Sequence, residues 1–211
     1  MSKLKCQHKL EDILINKNYF HNQLLNYLKE FTLLSQNDIN QIEKLFFKKE
    51  IKKNQYFIKA GDNLKYIGFN LQGIFRYFYI DYEGNEKTKY FGTKNEFIFS
   101  LSSFIKKIPS LYFIETLEDS ELLLAPVEKI YELINNNILW QNIYKSILEK
   151  TYIFKEKREA DFLLFNAKDR YLNFIEEYPE IHNNVKQHYI ASYLGIAPES
   201  LSRIRSELEI S

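Results

Sequence analysis

Gln187-His188-Tyr189-Ile190-Ala191-Ser192-Tyr193-Leu194-Gly195-Ile196-Ala197-Pro198-Glu199-Ser200-Leu201-Ser202-Arg203-Ile204-Arg205 is the stretch that decides how the chain reads. Its spacing predicts two short helices joined by a tight turn. Ala191 is small where the helices must approach closely. Gly195 falls just past the first helix, where a left-handed residue ends a helix at little cost. Ile196 is placed to plug the turn into a core. Pro198 suits the first turn of the second helix, where a missing N–H costs nothing. Leu201, Ile204 and Leu208 recur at helical spacing and are expected to face inward.

Glu199, Ser202, Arg203 and Ser206 share the opposite face of that second helix. Small polar side chains beside an arginine suit a DNA major groove. Arg203 can donate to guanine O6 and N7, and Glu199 can accept from cytosine N4. Gln187, Ser200 and Arg205 are expected at phosphates, which fix register without reading sequence. The plain alternative is a helical hairpin with a solvated polar face. From Asn166 onward five Lys and Arg (Lys168, Arg170, Lys186, Arg203, Arg205) stand against seven acids (Asp169, Glu176, Glu177, Glu180, Glu199, Glu207, Glu209), a net −2. That balance predicts modest nonspecific affinity for a polyanion.

Upstream, residues 138–165 contain no Gly or Pro and predict one long helix. Trp140, Ile143, Tyr144, Ile147, Thr151 and Phe154 trace one side of it; Arg158 and Asp161 interrupt the stripe before Phe162 and Phe165 resume it. A stripe this broad suits either a helix shared between the body and a second copy of the chain, or a purely internal core helix. Its width and length favour the dimerising reading. Asn166-Ala167 is expected to hinge into the last segment.

Between Glu50 and Ala125 the periodicity is that of strands. Candidates are Tyr56–Asp62, Tyr66–Leu71, Gly73–Ile80, Lys87–Phe91, Leu111–Leu117 and Leu122–Ala125, separated by Gly61-Asp62, Gln72-Gly73 and Glu83-Gly84-Asn85. Many short strands at close spacing predict a sandwich or small barrel. Pro126 then opens a helix. Before the strands, residues 17–48 read as helical, with a capping signal at Ser35 and an acid, Asp38, three positions later.

The whole chain has 211 residues, a formal net charge of +1 and 45% hydrophobic residues, ordinary for a globular protein. Any nucleic-acid surface must therefore be local. The single cysteine, Cys6, cannot form an internal disulfide or hold a cluster alone. No apolar run approaches a membrane span, and Met1–Asn16 has no signal-peptide pattern, so a cytoplasmic location is expected. The histidines are His8, His21, His182 and His188, and none lies among the predicted strands. A metal cage of imidazoles, as in barrel enzymes, is unavailable there. No P-loop, dinucleotide fingerprint or nucleophile elbow occurs, so neither an enzyme nor a bound cofactor is expected.

The C-terminal stretch resembles the CRP/FNR family of bacterial transcription regulators, in particular the short form common in Bacteroidetes-type bacteria. The resemblance covers about residues 24–208. It rests on Ile190–Ile196 and Pro198–Ile204, with weaker support from Lys59-Ala60-Gly61-Asp62, from Gly73 leading into a Tyr/Phe strand, and from Pro109-Ser110 with Leu117–Leu122. It implies an α+β protein in three parts. These are a cyclic-nucleotide-binding-like β-roll with flanking helices (1–137, a jelly-roll-like barrel), a long dimerisation helix (138–165), and an all-α helix-turn-helix domain (166–211). It implies a homodimer on a palindromic duplex, with RNA polymerase and a small-molecule effector as further partners, and no membrane partner.

Two departures from the family pattern shape that expectation. Members that bind a cyclic nucleotide carry a Gly-Glu pair and then an Arg-Ser pair; the matching stretches here are Phe97–Ser102 and Pro109-Ser110. Ser100 stands where the acid for the ribose would be, and Pro109 where the arginine for the phosphate would be. Without that counter-charge a buried cyclic phosphate is poorly compensated, so cyclic AMP is not the expected effector. The effector pocket is expected at Phe99, Ser100, Ser103, Ser110 and Tyr112 beside the long helix. A wing hairpin would need roughly 15–20 residues beyond the second helix, so the domain is expected to lack one. A dimeric adaptor or small-molecule binder that has lost DNA binding is the competing expectation.

Overall fold

Aromatic and β-branched residues broken by Gly and Asn turns fold into eight antiparallel strands among the described residues, 20–208, of the computed structural model. They are β1 (Phe47–Ile51), β2 (Tyr56–Ile58), β3 (Tyr66–Gln72), β4 (Phe75–Ile80), β5 (Glu86–Gly92), β6 (Phe97–Ile98), β7 (Phe113–Thr116) and β8 (Ser120–Pro126). Two four-stranded sheets result, in the orders β1-β8-β3-β6 and β2-β7-β4-β5. The sheets face each other as an open roll; the expected barrel does not close, because no strand pairs across the two sheets. Phe75, Ile98, Ile114 and Leu122 fill the space between them. Readings of Met1–Asn16, of Cys6 and of a wing lie outside the described residues.

The register within the second sheet slips once. Tyr77 pairs with Tyr90 but Phe78 pairs with Thr88, which leaves Lys89 as the extra residue of a β-bulge. Gly73 turns the chain between β3 and β4 at φ +118°. A Cβ there would lie 2.1 Å from the Ser120 hydroxyl and 3.0 Å from its Cα, so only glycine fits.

Helices cover one side of the roll. Residues 20–29 form α1, followed by α2 (Gln36–Leu45), α3 (Leu101–Lys106) and α4 (Val127–Asn136). The capping box at α2 forms as its sequence predicts: the Asp38 carboxylate accepts from the Ser35 amide at 2.9 Å, and the Asp38 amide donates to Ser35 Oγ at 3.3 Å. Leu24, Leu28 and Ile42 from these helices pack on Phe69 and Leu123 of the roll and on Trp140. Within the roll, three elements escaped the pattern reading. β1 is an edge strand whose Lys48, Lys49 and Glu50 hide its alternation, while β6 and α3 are too short to show a period.

Trp140 belongs to α5 (Ile138–Leu164), about 40 Å long at 1.5 Å per residue. Asn137 caps it, accepting from the Leu139 amide at 2.9 Å. Beyond it come α6 (Ala167–Glu177), α7 (Ile181–Asn184), α8 (Gln187–Leu194) and α9 (Pro198–Glu207). Their core of Tyr171, Phe174, Ile190 and Leu201 is continuous with Ile74 and Phe91 of the roll. Among the described residues no helix is long and apolar enough to cross a membrane.

Replacing Gly73 with Ala combines a positive-φ penalty with a collision at Ser120. Gly73→Ala is expected to lower unfolding free energy by about 2–4 kcal/mol, measured as a reduced urea midpoint at unchanged slope.

Candidate nucleic-acid interface and effector cavity

The two helices of the C-terminal stretch form as their spacing predicts. Gly195 ends α8 with φ +68°, and the Ile196 amide returns to the Ala191 carbonyl at 3.0 Å. Two arginines take the remaining carbonyls of that helix end: Arg158 Nη2 donates to the Tyr193 carbonyl at 3.0 Å, and Arg170 Nη2 donates to the Leu194 carbonyl at 3.2 Å. The ring of Phe162 lies 2.9 Å from where a Gly195 Cβ would sit, so the turn is pressed directly onto α5.

On α9, Leu201 and Ile204 are buried, while Glu199, Ser200, Ser202, Arg203 and Ser206 are all exposed. Arg203 takes part in no ion pair among the described residues, so its guanidinium is available to a ligand. Gln187, the first residue of α8, is also exposed. Arg205 departs from the expected position at a phosphate. It is 7% exposed, and its Nη1 donates to the Tyr171 hydroxyl at 3.1 Å and to the His182 carbonyl at 3.0 Å. It lies four residues after Leu201, hence on the inner face of α9.

The helix pair sits against the roll. Ser192 Oγ accepts from the Thr88 amide at 2.9 Å and donates to the Glu86 carbonyl at 3.1 Å. Arg76, fully buried on β4, is ion-paired with Glu86 and, at 3.0 Å, with Glu115. Its guanidinium is sandwiched between Phe78, 4.0 Å to the ring centroid, and Tyr189 of α8, 3.6 Å. Composition gave no hint of Arg76; a lone arginine in an aromatic strand was the available signal.

The expected effector pocket splits in two. Ser100, Ser103 and Ser110 are buried and bond to one another: Ser100 Oγ to Ser103 Oγ at 2.8 Å, and Ser110 Oγ to Ser100 Oγ at 3.1 Å. Ser110 Oγ also donates to the Tyr112 carbonyl at 2.7 Å. These serines do not line the nearby cavity; Phe99 and Tyr112 do. The cavity, about 680 Å³, lies between the roll, α5 and the C-terminal end of α6. Its walls are largely aromatic, with five cations (Lys89, Lys150, Lys155, Lys157, Arg158) against three acids (Glu96, Glu159, Glu177).

Two of those charges are displaced from their ordinary titration. Burial, followed by the like charges of Lys155 and Arg158, pulls Lys89 down to about 8. Burial pushes the Glu96 carboxyl up, although it accepts from the Tyr90 hydroxyl at 2.7 Å and the Thr93 amide at 3.1 Å. Among the described residues no three His, Cys, Asp or Glu side chains come together as a metal site.

Residues 48–137 match the family described as cyclic nucleotide-binding domain. No curated protein matches the sequence. Among solved structures the chain is similar to FixK2 from Bradyrhizobium japonicum, at 15% identity over 78% of this chain and 85% of that one, with a TM-score of 0.70. It is similar to the c-di-GMP responsive global regulator CLP of Xanthomonas campestris, at 14% identity over 83% and 92%, TM-score 0.66. A protein from Eubacterium rectale assigned to the CRP/FNR regulators aligns at 16% identity over 84% of each chain, TM-score 0.68. This chain has the CRP/FNR fold. Within that fold, Ser100, Ser103 and Ser110 form a buried hydroxyl cluster in the roll.

Arg203 and Arg205, two positions apart, are expected to respond oppositely to truncation. Arg205→Ala, which strands the Tyr171 hydroxyl and empties a buried volume, should cost about 2–3 kcal/mol of stability and lower the melting temperature. Arg203→Ala, at an exposed site, should leave the melting temperature unchanged.

Proposed function

We propose that the protein is a homodimeric, sequence-specific DNA-binding transcription regulator. The observation that carries this reading is the α9 face: Glu199, Ser202, Arg203 and Ser206 exposed together on a helix whose apolar side is fully committed to its own core. Arg203 reads a guanine and Glu199 a cytosine, while Ser200 and Gln187 contact phosphates. Arg205 acts from inside, holding α9 against α6 and α7.

Dimerisation uses the free side of α5. Tyr152, Ile153, Leu163 and Leu164 are exposed there, at 68%, 64%, 76% and 75%. Tyr152 and Leu163, like Ile153 and Leu164, are eleven residues apart in sequence, close to three helical turns, and so point the same way. A second copy packed along this stripe would present two α9 helices to half-sites about one helical turn apart. The division into a sensor (1–137), a dimer helix (138–165) and a DNA-binding domain (166–211) follows from this arrangement. The protein works in the cytoplasm, with RNA polymerase as a further partner. Its effector occupies the cavity at Phe99 and Tyr112, with the serine cluster outside the lining and bonded to the Tyr112 carbonyl, and is not cyclic AMP. The buried Arg205 and the net-acidic C-terminal segment favour the second reading, a dimeric adaptor without DNA affinity.

Selection of the purified dimer on random duplexes at low salt decides between them. The expected product is a pseudo-palindrome, and Arg203→Ala should cost about 1–3 kcal/mol at one position of each half-site. No sequence preference, with Arg203→Ala indistinguishable from the parent, would leave the adaptor reading standing. Charge placed on the α5 stripe, as in Ile153→Glu with Leu163→Glu, should convert dimer to monomer in sedimentation equilibrium.

A further inference from the structure

The cavity's polar groups are not arranged for a nucleotide. The serines at the family's cassette position spend their hydroxyls on one another and on a backbone carbonyl. The positive charge lies elsewhere, on β5 and α5.

Lys89 is the bulged residue of β5. In an unbroken strand Lys89 and Tyr90 would face opposite sides. The bulge turns both toward the cavity, and both line it. Lys89 is faced by Lys155 and Arg158 from α5, and by the rings of Tyr112, 3.9 Å from its Nζ, and Tyr79, 5.8 Å. Among the described residues neither Lys89, Lys155 nor Arg158 is ion-paired with a carboxylate. Lys157, by contrast, is already neutralised by Glu177 at 2.8 Å. Arg158 Nε is buried with no partner, a donor left over after the two Nη groups have bonded the Lys89 and Tyr193 carbonyls. A ring quadrupole offsets only part of the cost of holding three cations together beside a buried donor. An anionic acceptor would relieve it.

We infer that the cavity binds an amphipathic carboxylate, its head group held by Lys89, Lys155 and Arg158 and its apolar body packed among Phe97, Phe99 and Phe154. This deepens the proposed function by naming its effector class. The volume suits a drug-sized or medium-chain acid rather than a small inorganic ion. The aromatic walls favour a long apolar body with one charged end over a sugar phosphate. Because Arg158 also holds the last turn of α8, a head group bound to it competes with or re-aims the bond to the Tyr193 carbonyl. Occupancy is thereby coupled to the position of the DNA-reading helices.

The test is isothermal titration of the full-length protein with phenylacetate, octanoate and decanoate, each against its primary amide, and with cyclic AMP. At least one acid should bind saturably, and its amide about tenfold or more weaker. Lys89→Met and the exposed-site Lys155→Gln should each weaken the acid by about tenfold, with melting temperatures showing that both variants fold. Wild-type affinity should fall as pH rises through about 8, where Lys89 loses its proton. Lys89→Arg, which stays charged, should bind the acid and abolish that fall. Equal binding of acid and amide, no binding by any acid, unchanged affinity in both lysine variants, or preferential binding of cyclic AMP would each overturn the inference. None of these outcomes depends on DNA. Failure of the duplex selection would remove the regulator reading while leaving the binding result intact.

Discussion

The guanidinium of Arg158 joins the three parts of this molecule. One Nη donates to the Lys89 carbonyl on the roll, the other to the Tyr193 carbonyl at the end of α8, and the plane stacks on the Tyr193 ring at 4.2 Å. A helix C-terminus offers unsatisfied carbonyls and a partial negative charge, and a fixed cation is the group that satisfies both. Placing that cation on α5 means that α8 is oriented from outside its own domain. Arg170, Phe162 and the bare face of Gly195 complete the same joint. On the far side, Ser192 and Tyr189 fasten α8 to β5 and to Arg76. Helix α9 inherits its direction from α8 through the three-residue turn 195–197, so these contacts set where the exposed Arg203 points.

How much of this was legible depends on how local the cause is. The helix pair was readable because a left-handed glycine, a proline at the first helical position and inward aliphatics act within a few residues of one another. The two-sheet architecture was readable from turn residues and aromatic alternation, but openness was not, since closure is a matter of long-range pairing. Arg158 announced itself by interrupting an apolar stripe, although its acceptors, 35 and 69 residues away in sequence, could not be read from it. Arg205 shows an error of a different kind. Its spacing from Leu201 already placed it on the inner face, and charge alone suggested solvent.

The pocket was the least legible part, for a physical reason. The family resemblance predicts only a loss there, with Pro109 expected in place of an arginine and Ser100 in place of an acid. The structure shows in this region a hydroxyl cluster that saturates itself and a lysine turned by a bulge. Neither leaves a local mark: hydroxyl pairing needs tertiary proximity, and a register slip between β4 and β5 is invisible in either strand by itself.

Bulges concentrate where a strand must re-aim one side chain, at some loss of ladder bonding. Here the slip carries Lys89 into an aromatic enclosure beside two other cations, an arrangement that burial alone disfavours. Its backbone carbonyl is simultaneously the acceptor for Arg158. One residue thus presents a charge to the cavity and an anchor to the helix that orients the C-terminal domain. A ligand need not push the domains apart to change their relation. It has only to bind one arrangement of Arg158 more tightly than another, and the population shifts by that difference in affinity and no more.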